Sequence, residues 1–193
     1  TVVQSDLAVA EDGAVHLAFR DQQSGHVFHA ERGPLVGSGW LVQQVSQGAG
    51  VPAFDARIVL GPGNAPRVLY RQANVFAVAA RRVDTGQWLS REAVVGVNGN
   101  ARPSADGSTE AHLIYLSWYD DAVEELRVTS IFGDVADPAV TPGVVTQSVP
   151  HPANWVFGLT AHDLTLTGDG GVGVAYSQTV DGAHSDGYPS YDR

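Results

Sequence analysis

Residues 7–20 read Leu7-Ala-Val-Ala-Glu-Asp-Gly-Ala-Val-His-Leu-Ala-Phe-Arg20, and this stretch decides the fold. Its two apolar segments flank Asp12-Gly13, a dipeptide that favours a tight turn because glycine accepts positive φ. In the second segment, positions 15, 17 and 19 would face one side of a strand and positions 16, 18 and 20 the other. The stretch therefore predicts a β-hairpin.

This segment type occurs four times along the chain. Turns are predicted before the later copies at Gly61–Asn64, Asp106-Gly107 and Asp169–Gly171. A second motif, a tryptophan opening an apolar strand, places Trp40 and Trp88 48 residues apart. The central aromatic residues of the four copies, at spacings of 51, 48 and 58 residues, are Phe19, Tyr70, Trp118 and Tyr176.

Each repeat reads as four short strands, and four-stranded repeats of this length are typical of propeller blades. We therefore predict an all-β fold, a β-propeller whose units cover roughly residues 6–50, 51–100, 101–155 and 156–193. Thr1–Ser5 is predicted to be the outer strand of a preceding or closing blade. We expect the units to be part of a larger propeller, and a β-sandwich is the alternative architecture.

The amino-acid composition and the net charge exclude several classes of function. The 193 residues carry a net charge of −10, which disfavours nucleic acid and anionic membrane surfaces as partners. All eleven basic residues are arginine, and without cysteine the chain has no disulfide or thiolate chemistry. No apolar run reaches the roughly 18 residues of a membrane span. The sequence contains no methionine, so we expect a processed chain or a fragment.

The pattern of Leu7–Arg20 with Gly39-Trp40, repeated at Leu164–Tyr176, resembles the sialidase-like propeller repeats of secreted bacterial proteins. The complete Asp-box of that family, Ser-x-Asp-x-Gly-x-Thr-Trp, does not occur, so the chain resembles a degenerate form of the Asp-box (BNR) repeats. The resemblance implies a propeller fold and an extracytoplasmic location. Related propellers serve as lectins, adhesion modules and interaction platforms, so it implies a fold more than an activity.

Four residues are the candidate ligand-binding set. Arg20 and Arg71 hold the same place in successive units and can bind a carboxylate or sulfate if they point to a mouth of the propeller. Tyr119 and Asp120 belong to the densest polar and aromatic cluster, which suits sugar binding. The alternative is that the arginines pair with nearby acids such as Asp21 or pack over aromatic rings. Trp40, Trp88 and Trp118 are predicted to be core residues.

Metal binding has two candidate locations. Asp181 and Asp186 lie in a glycine-rich tail and can hold Ca²⁺, the one cofactor that the sequence suggests. His26 and His29 are three residues apart, so on a strand they face opposite sides and are not expected to share a metal.

No catalytic motif is found, and we predict a non-catalytic module that binds a glycan or a protein. One alternative is a fragment of a sialidase-like glycoside hydrolase, because Asp120 can pair with a distant acid. Another is a structural subunit of a larger assembly. A complementary chain that completes the last blade is a further expected partner.

Overall fold

A computed structural model describes residues 1–35, 37–47, 51–97, 103–120, 122–123, 125–149, 157–167 and 171–180, with the backbone alone for residues 157–161 and 177–180. These residues form fourteen strands and one short 3-10 turn at Pro62–Asn64. The strands are β1 (Val2–Val9), β2 (Val15–Asp21), β3 (Val27–Arg32), β4 (Leu41–Gln44), β5 (Ala53–Leu60), β6 (Pro66–Gln72), β7 (Val75–Arg81), β8 (Trp88–Val95), β9 (Ser104–Gly107), β10 (Leu113–Asp120), β11 (Glu125–Phe132), β12 (Gly143–Ser148), β13 (Phe157–Leu166) and β14 (Val172–Val180).

The strands form four antiparallel sheets, each a meander in chain order. The first sheet is β1–β4, the second β5–β8, the third β9–β12, and the fourth contains β13 and β14. The predicted all-β fold of four-stranded units is thus confirmed, with two strands in the fourth unit among the described residues. No helix among those residues is long and apolar enough to cross a membrane.

The hairpin predicted at Asp12-Gly13 is present. Gly13 has a φ of +86°, and the backbone N–H of Ala14 donates to Asp12 Oδ1 at 2.9 Å. The strands on either side pair from Val9 opposite Val15 onward. Positive φ is costly for a residue with a Cβ, and this explains why glycine occupies the turn.

The predicted turn at Asp106-Gly107 is wrong, because both residues belong to β9 and Gly107 pairs with Ile114. Glycine is needed at this position because the second sheet packs closely against it, and not because the chain turns there. A Cβ built on Gly107 would lie 3.0 Å from Val59 Cγ2 and 3.1 Å from the Leu60 carbonyl oxygen. Glycine therefore allows β9 to approach β5 of the second sheet.

The prediction that Thr1–Ser5 forms the outer strand of another blade is also wrong. Val2–Ser5 begin β1, and Ser5 pairs with Phe19 of β2 in the first sheet. Inward-facing polar side chains explain this placement: Gln4 Nε2 donates to Asp55 Oδ1 at 3.1 Å, so the strand is tied to β5 from its first residues.

The first strands of the sheets run side by side and parallel, as the inner strands of propeller blades do. Asp6 Oδ2 of β1 accepts the backbone N–H of Ile58 in β5 at 2.9 Å, and its Oδ1 accepts that of Leu7. In the same way, Asp106 Oδ2 of β9 accepts the backbone N–H of Leu166 in β13 at 2.8 Å. One carboxylate thus bridges two inner strands at each of these places.

Two buried clusters hold the sheets together. The first junction lies between the first and second sheets, and the second junction lies between the second and third. The first junction consists of Ala18, Val27, Val45, Ala53, Ala56, Ile58, Val68, Tyr70, Ala77, Ala79 and Trp88. The second consists of Val59, Leu69, Phe76, Val78, Ala80, Val94, Val97, Ile114, Leu116, Trp118, Ile131 and Val135.

The repeat aromatics face the preceding sheet, so their burial depends on which sheet they occupy. Tyr70 and Trp88 are buried in the first junction and Trp118 in the second, which confirms the core prediction for Trp88 and Trp118. Trp40 is 49% exposed, so its core prediction is wrong. It directly precedes β4 of the first sheet, and within the described part of the chain no sheet packs on the outer face of that sheet. Phe19, on the same face, stacks on Phe28 with ring centroids 5.6 Å apart.

Candidate ligand-binding site

The structure brings the two predicted arginines together around one aromatic ring. Arg20 is the penultimate residue of β2 in the first sheet, and Arg71 holds the same position in β6 of the second sheet. The Arg20 guanidinium carbon lies 4.5 Å from the centroid of the Phe54 ring, and that of Arg71 lies 5.2 Å from it. Cations over an aromatic face are attracted by its quadrupole, so Phe54 holds both side chains in place.

A carboxylate fixes one of these arginines. Arg71 Nε donates to Asp55 Oδ2 at 2.9 Å, and both side chains are 12% exposed. Gln4 Oε1 accepts the backbone N–H of Asp55 at 2.9 Å. Asp55 has a φ of +55°, where β5 departs from its regular register. The partners from β1 and β6 therefore hold a backbone conformation that residues other than glycine rarely adopt.

The other arginine is less completely satisfied. The Nε atom of Arg20 is buried and has no hydrogen-bond partner. Two guanidinium groups and the single carboxylate of Asp55 leave one surplus positive charge around Phe54. In a chain of net charge −10, this is a local site of opposite sign. We call Arg20, Phe54, Asp55 and Arg71 the arginine cluster.

Tyr119 and Asp120 lie at the corresponding end of β10 in the third sheet. Asp120 Oδ2 lies 3.0 Å from Arg127 Nε, and the Arg127 guanidinium carbon lies 5.9 Å from the centroid of the Trp118 ring. Trp118 itself is in the core and donates from Nε1 to Thr129 Oγ1 at 3.1 Å. The structure therefore places the predicted residues in two groups, one containing both arginines and one containing Tyr119 with Asp120.

Sequence reasoning missed a buried group of titratable side chains in the first junction. His16 Nδ1 of β2 and His29 Nε2 of β3 are 3.1 Å apart, and the rings are stacked. Burial lowers the pKa of His29 to about 3, and it also lowers the pKa of His16. The predicted alternation of β2 groups His16 with Ala18 and Arg20 on one side of the strand without showing that this side faces the second sheet, and the contact with His29 depends on the register between β2 and β3.

The predicted calcium ligands Asp181 and Asp186 lie outside the described residues. His26 and His29, which the sequence analysis does not expect to share a metal, have different partners. His26 Nδ1 lies 3.3 Å from Ser46 Oγ, whereas His29 lies against His16.

Comparison with known proteins gives a fold-level relationship. No protein-family model matches the chain, and no curated protein matches its sequence. Among solved structures, it is similar to a leech intramolecular trans-sialidase complexed with 2,7-anhydro-Neu5Ac, with 17% identity and a TM-score of 0.57 over 92% of this chain and 28% of that one. It is also similar to the intramolecular trans-sialidase of Ruminococcus gnavus in complex with oseltamivir carboxylate, with 18% identity and a TM-score of 0.55 over 92% of this chain and 38% of that one.

These similarities support the resemblance to sialidases at the level of the fold. The chain spans about a third of the length of the two enzymes that it matches. At such low identity, the shared property is the all-β sialidase-type architecture, because one fold carries many activities.

Proposed function

We propose that the chain is a non-catalytic, extracytoplasmic module of sialidase type that binds an anionic glycan at its arginine cluster. The observation that carries this proposal is the convergence of Arg20 and Arg71 on the ring of Phe54. Equivalent positions of two sheets thereby provide two guanidinium groups at one place.

The chemistry of the cluster suits a sugar carboxylate. A guanidinium group presents paired N–H donors that match the two oxygens of a carboxylate. The buried Nε of Arg20 lacks a partner, whereas Arg71 is held by Asp55. Arg20 is therefore the less constrained of the two guanidinium groups, and Arg71 is the fixed neighbour that adds charge.

The carboxylate groups near the candidate residues favour a role in binding over a role in glycoside hydrolysis. Glycoside hydrolysis requires two carboxyl groups placed on either side of the scissile bond. Asp55 already contacts Arg71 and Gln4, and Asp120 contacts Arg127. Glu125 Oε2 lies 3.4 Å from Arg127 and accepts a hydrogen bond from Ser148. These carboxylates act as partners of arginine in the folded chain.

The test is calorimetric titration of the chain with N-acetylneuraminate and with glucuronate, using uncharged galactose as the comparison. We expect the charged sugars to bind and galactose to bind more weakly. Arg20→Gln should reduce the affinity by about tenfold or more, since a charge-assisted hydrogen bond contributes about 1.5–3 kcal/mol.

The matched control is Arg82→Gln. Arg82 is paired with Asp84 on the surface, so the substitution removes the same charge from the chain at a different place. Affinity that is unchanged in Arg20→Gln, or reduced equally in both variants, would contradict the proposal.

A second candidate function is part of a sialidase-like glycoside hydrolase. The fold similarity to two intramolecular trans-sialidases favours it. Release of the fluorophore from a fluorogenic sialoside, with loss of that activity in Asp120→Asn, would support this candidate over the binding module. Binding of sugar without any release would support the module.

A further inference from the structure

The buried histidine pair of the first junction is part of a three-residue donor set. His16, His29 and Glu31 each offer one ligating atom, and these atoms all lie within 4.8 Å of one another. The register explains the grouping: His16 is opposite Glu31, and Ala18 is opposite His29, so all three side chains face the second sheet. Two neighbouring strands thus bring together residues 16, 29 and 31.

The two histidines are enclosed in the first junction, where His16 is 3% exposed and His29 is 1% exposed. The contact between His16 Nδ1 and His29 Nε2 is a hydrogen bond, in which one of the two nitrogens donates. A neutral imidazole has a lone pair on one ring nitrogen and a proton on the other. Metal binding would therefore replace this hydrogen bond, with the proton of the donating ring moving to its other nitrogen.

Glu31 completes the set. Its Oε2 lies 2.9 Å from Arg81 Nη1, but the atom is buried and accepts no properly directed hydrogen bond. Because an unsatisfied buried acceptor is costly, this oxygen has capacity for a further ligand. Glu31 and Arg81 are each 27% exposed, so solvent reaches the cluster from this side.

The spacing of the nitrogen atoms fits a tetrahedral metal. With Zn–N bonds of about 2.0–2.1 Å, two ligands of a tetrahedral zinc are about 3.3 Å apart. The two histidine nitrogens are 3.1 Å apart. Two imidazoles and one carboxylate form a donor set that zinc accepts with its fourth position open. We propose that His16, His29 and Glu31 form a binding site for Zn²⁺ between the first and second sheets.

Tryptophan fluorescence and cobalt absorption can report occupancy. The Trp88 ring lies 5.0 Å from that of His29, so a bound Co²⁺ ion should quench its emission. Co²⁺ in a tetrahedral site also absorbs visible light more strongly than the hydrated ion. We expect saturable quenching and a visible band at one equivalent of Co²⁺, both displaced by Zn²⁺.

Three variants test the ligands and their surroundings. Glu31→Gln, at a partly exposed position, should weaken Zn²⁺ binding by about tenfold or more, and His29→Gln should abolish it. Arg81→Gln should strengthen binding severalfold, because it removes a positive charge beside the cation. If the ion pair of Arg81 with Glu31 had only a structural role, its removal would not increase the affinity for Zn²⁺.

His26→Gln is the matched control, since His26 lies one strand position before β3 and contacts Ser46 instead of the cluster. It should bind Zn²⁺ as the unmodified chain does. The absence of saturable Co²⁺ or Zn²⁺ binding in the folded chain would overturn the proposal. So would binding that survives in Glu31→Gln and is lost in His26→Gln.

Discussion

The first and second junctions join similar pairs of sheets, but they are built from different types of side chain. The first uses small side chains, among them Ala18, Ala53 and Ala79, and places a polar histidine pair beside them. The second is filled by large apolar groups, with Phe76 set edge-on against Trp118. The repeat therefore fixes the strand order, whereas the side chains determine how the sheets pack.

The second sheet shows how one strand serves both junctions. In β6, Val68 and Tyr70 belong to the first junction and Leu69 to the second. This is the two-residue alternation of a strand buried on both faces. Both faces of β6 are covered at these positions, and the uninterrupted apolar run Val68–Tyr70 follows from this placement.

The largest expected effect comes from emptying the second junction. Phe76 is fully buried, and its ring centroid lies 5.9 Å from that of Trp118. Phe76→Ala should lower the free energy of unfolding by about 3–5 kcal/mol, because it leaves a cavity and removes the aromatic contact. Urea unfolding would measure the loss. Phe132→Ala, at a 48% exposed position, is the control and should cost far less.

The next effect comes from overfilling the first junction. Ala79 is fully buried between the first two sheets, where the alanines leave little room. Ala79→Leu should destabilise the chain by about 1–3 kcal/mol through displaced neighbours. Ala139→Leu, on the exposed loop before β12, should change stability by less than about 0.5 kcal/mol. Equal unfolding midpoints for the two variants would show that the first junction is not closely packed.

A smaller effect is expected at the carboxylates that bridge the inner strands. Asp6→Asn and Asp106→Asn should each cost about 1–2 kcal/mol, since an amide offers one acceptor oxygen in place of two. The losses should be similar, because the two side chains make equivalent contacts with Ile58 and Leu166. Thermal unfolding would compare them. Asp137→Asn, which affects only a local turn, is the control.

The smallest effect is expected on the outer face of the first sheet. Leu7 is 57% exposed there, so Leu7→Thr should change the free energy of unfolding of the isolated chain by less than about 0.5 kcal/mol. Chemical denaturation of the isolated chain would check this. A loss of 2 kcal/mol or more, at the level of a buried leucine, would indicate that this face is covered in solution.

The sequence alone predicted the features that depend on local alternation and repetition. The Asp12-Gly13 hairpin followed from residues close in the chain, and the equivalence of Arg20 and Arg71 followed from the repeat. Phe54, which joins the two arginines, was not predicted, because it lies at the start of a different strand. The contact of His16 with His29 likewise depends on strand register.

Two of the predictions from the sequence were wrong for similar physical reasons. Asp106-Gly107 has the composition of a turn, but its glycine admits the close approach of β5 and its aspartate bonds to β13. Trp40 has the spacing of a core residue, but its burial requires a sheet packed on its face. In both places, a neighbour distant in sequence decides the outcome.

The most direct test of the proposed function is nuclear magnetic resonance of the arginine side chains during titration with N-acetylneuraminate. We predict that the Nε–H signals of Arg20 and Arg71 shift and saturate together, while that of Arg82 stays in place. Unchanged signals of Arg20 and Arg71 at a sugar concentration that saturates the chain would contradict the account.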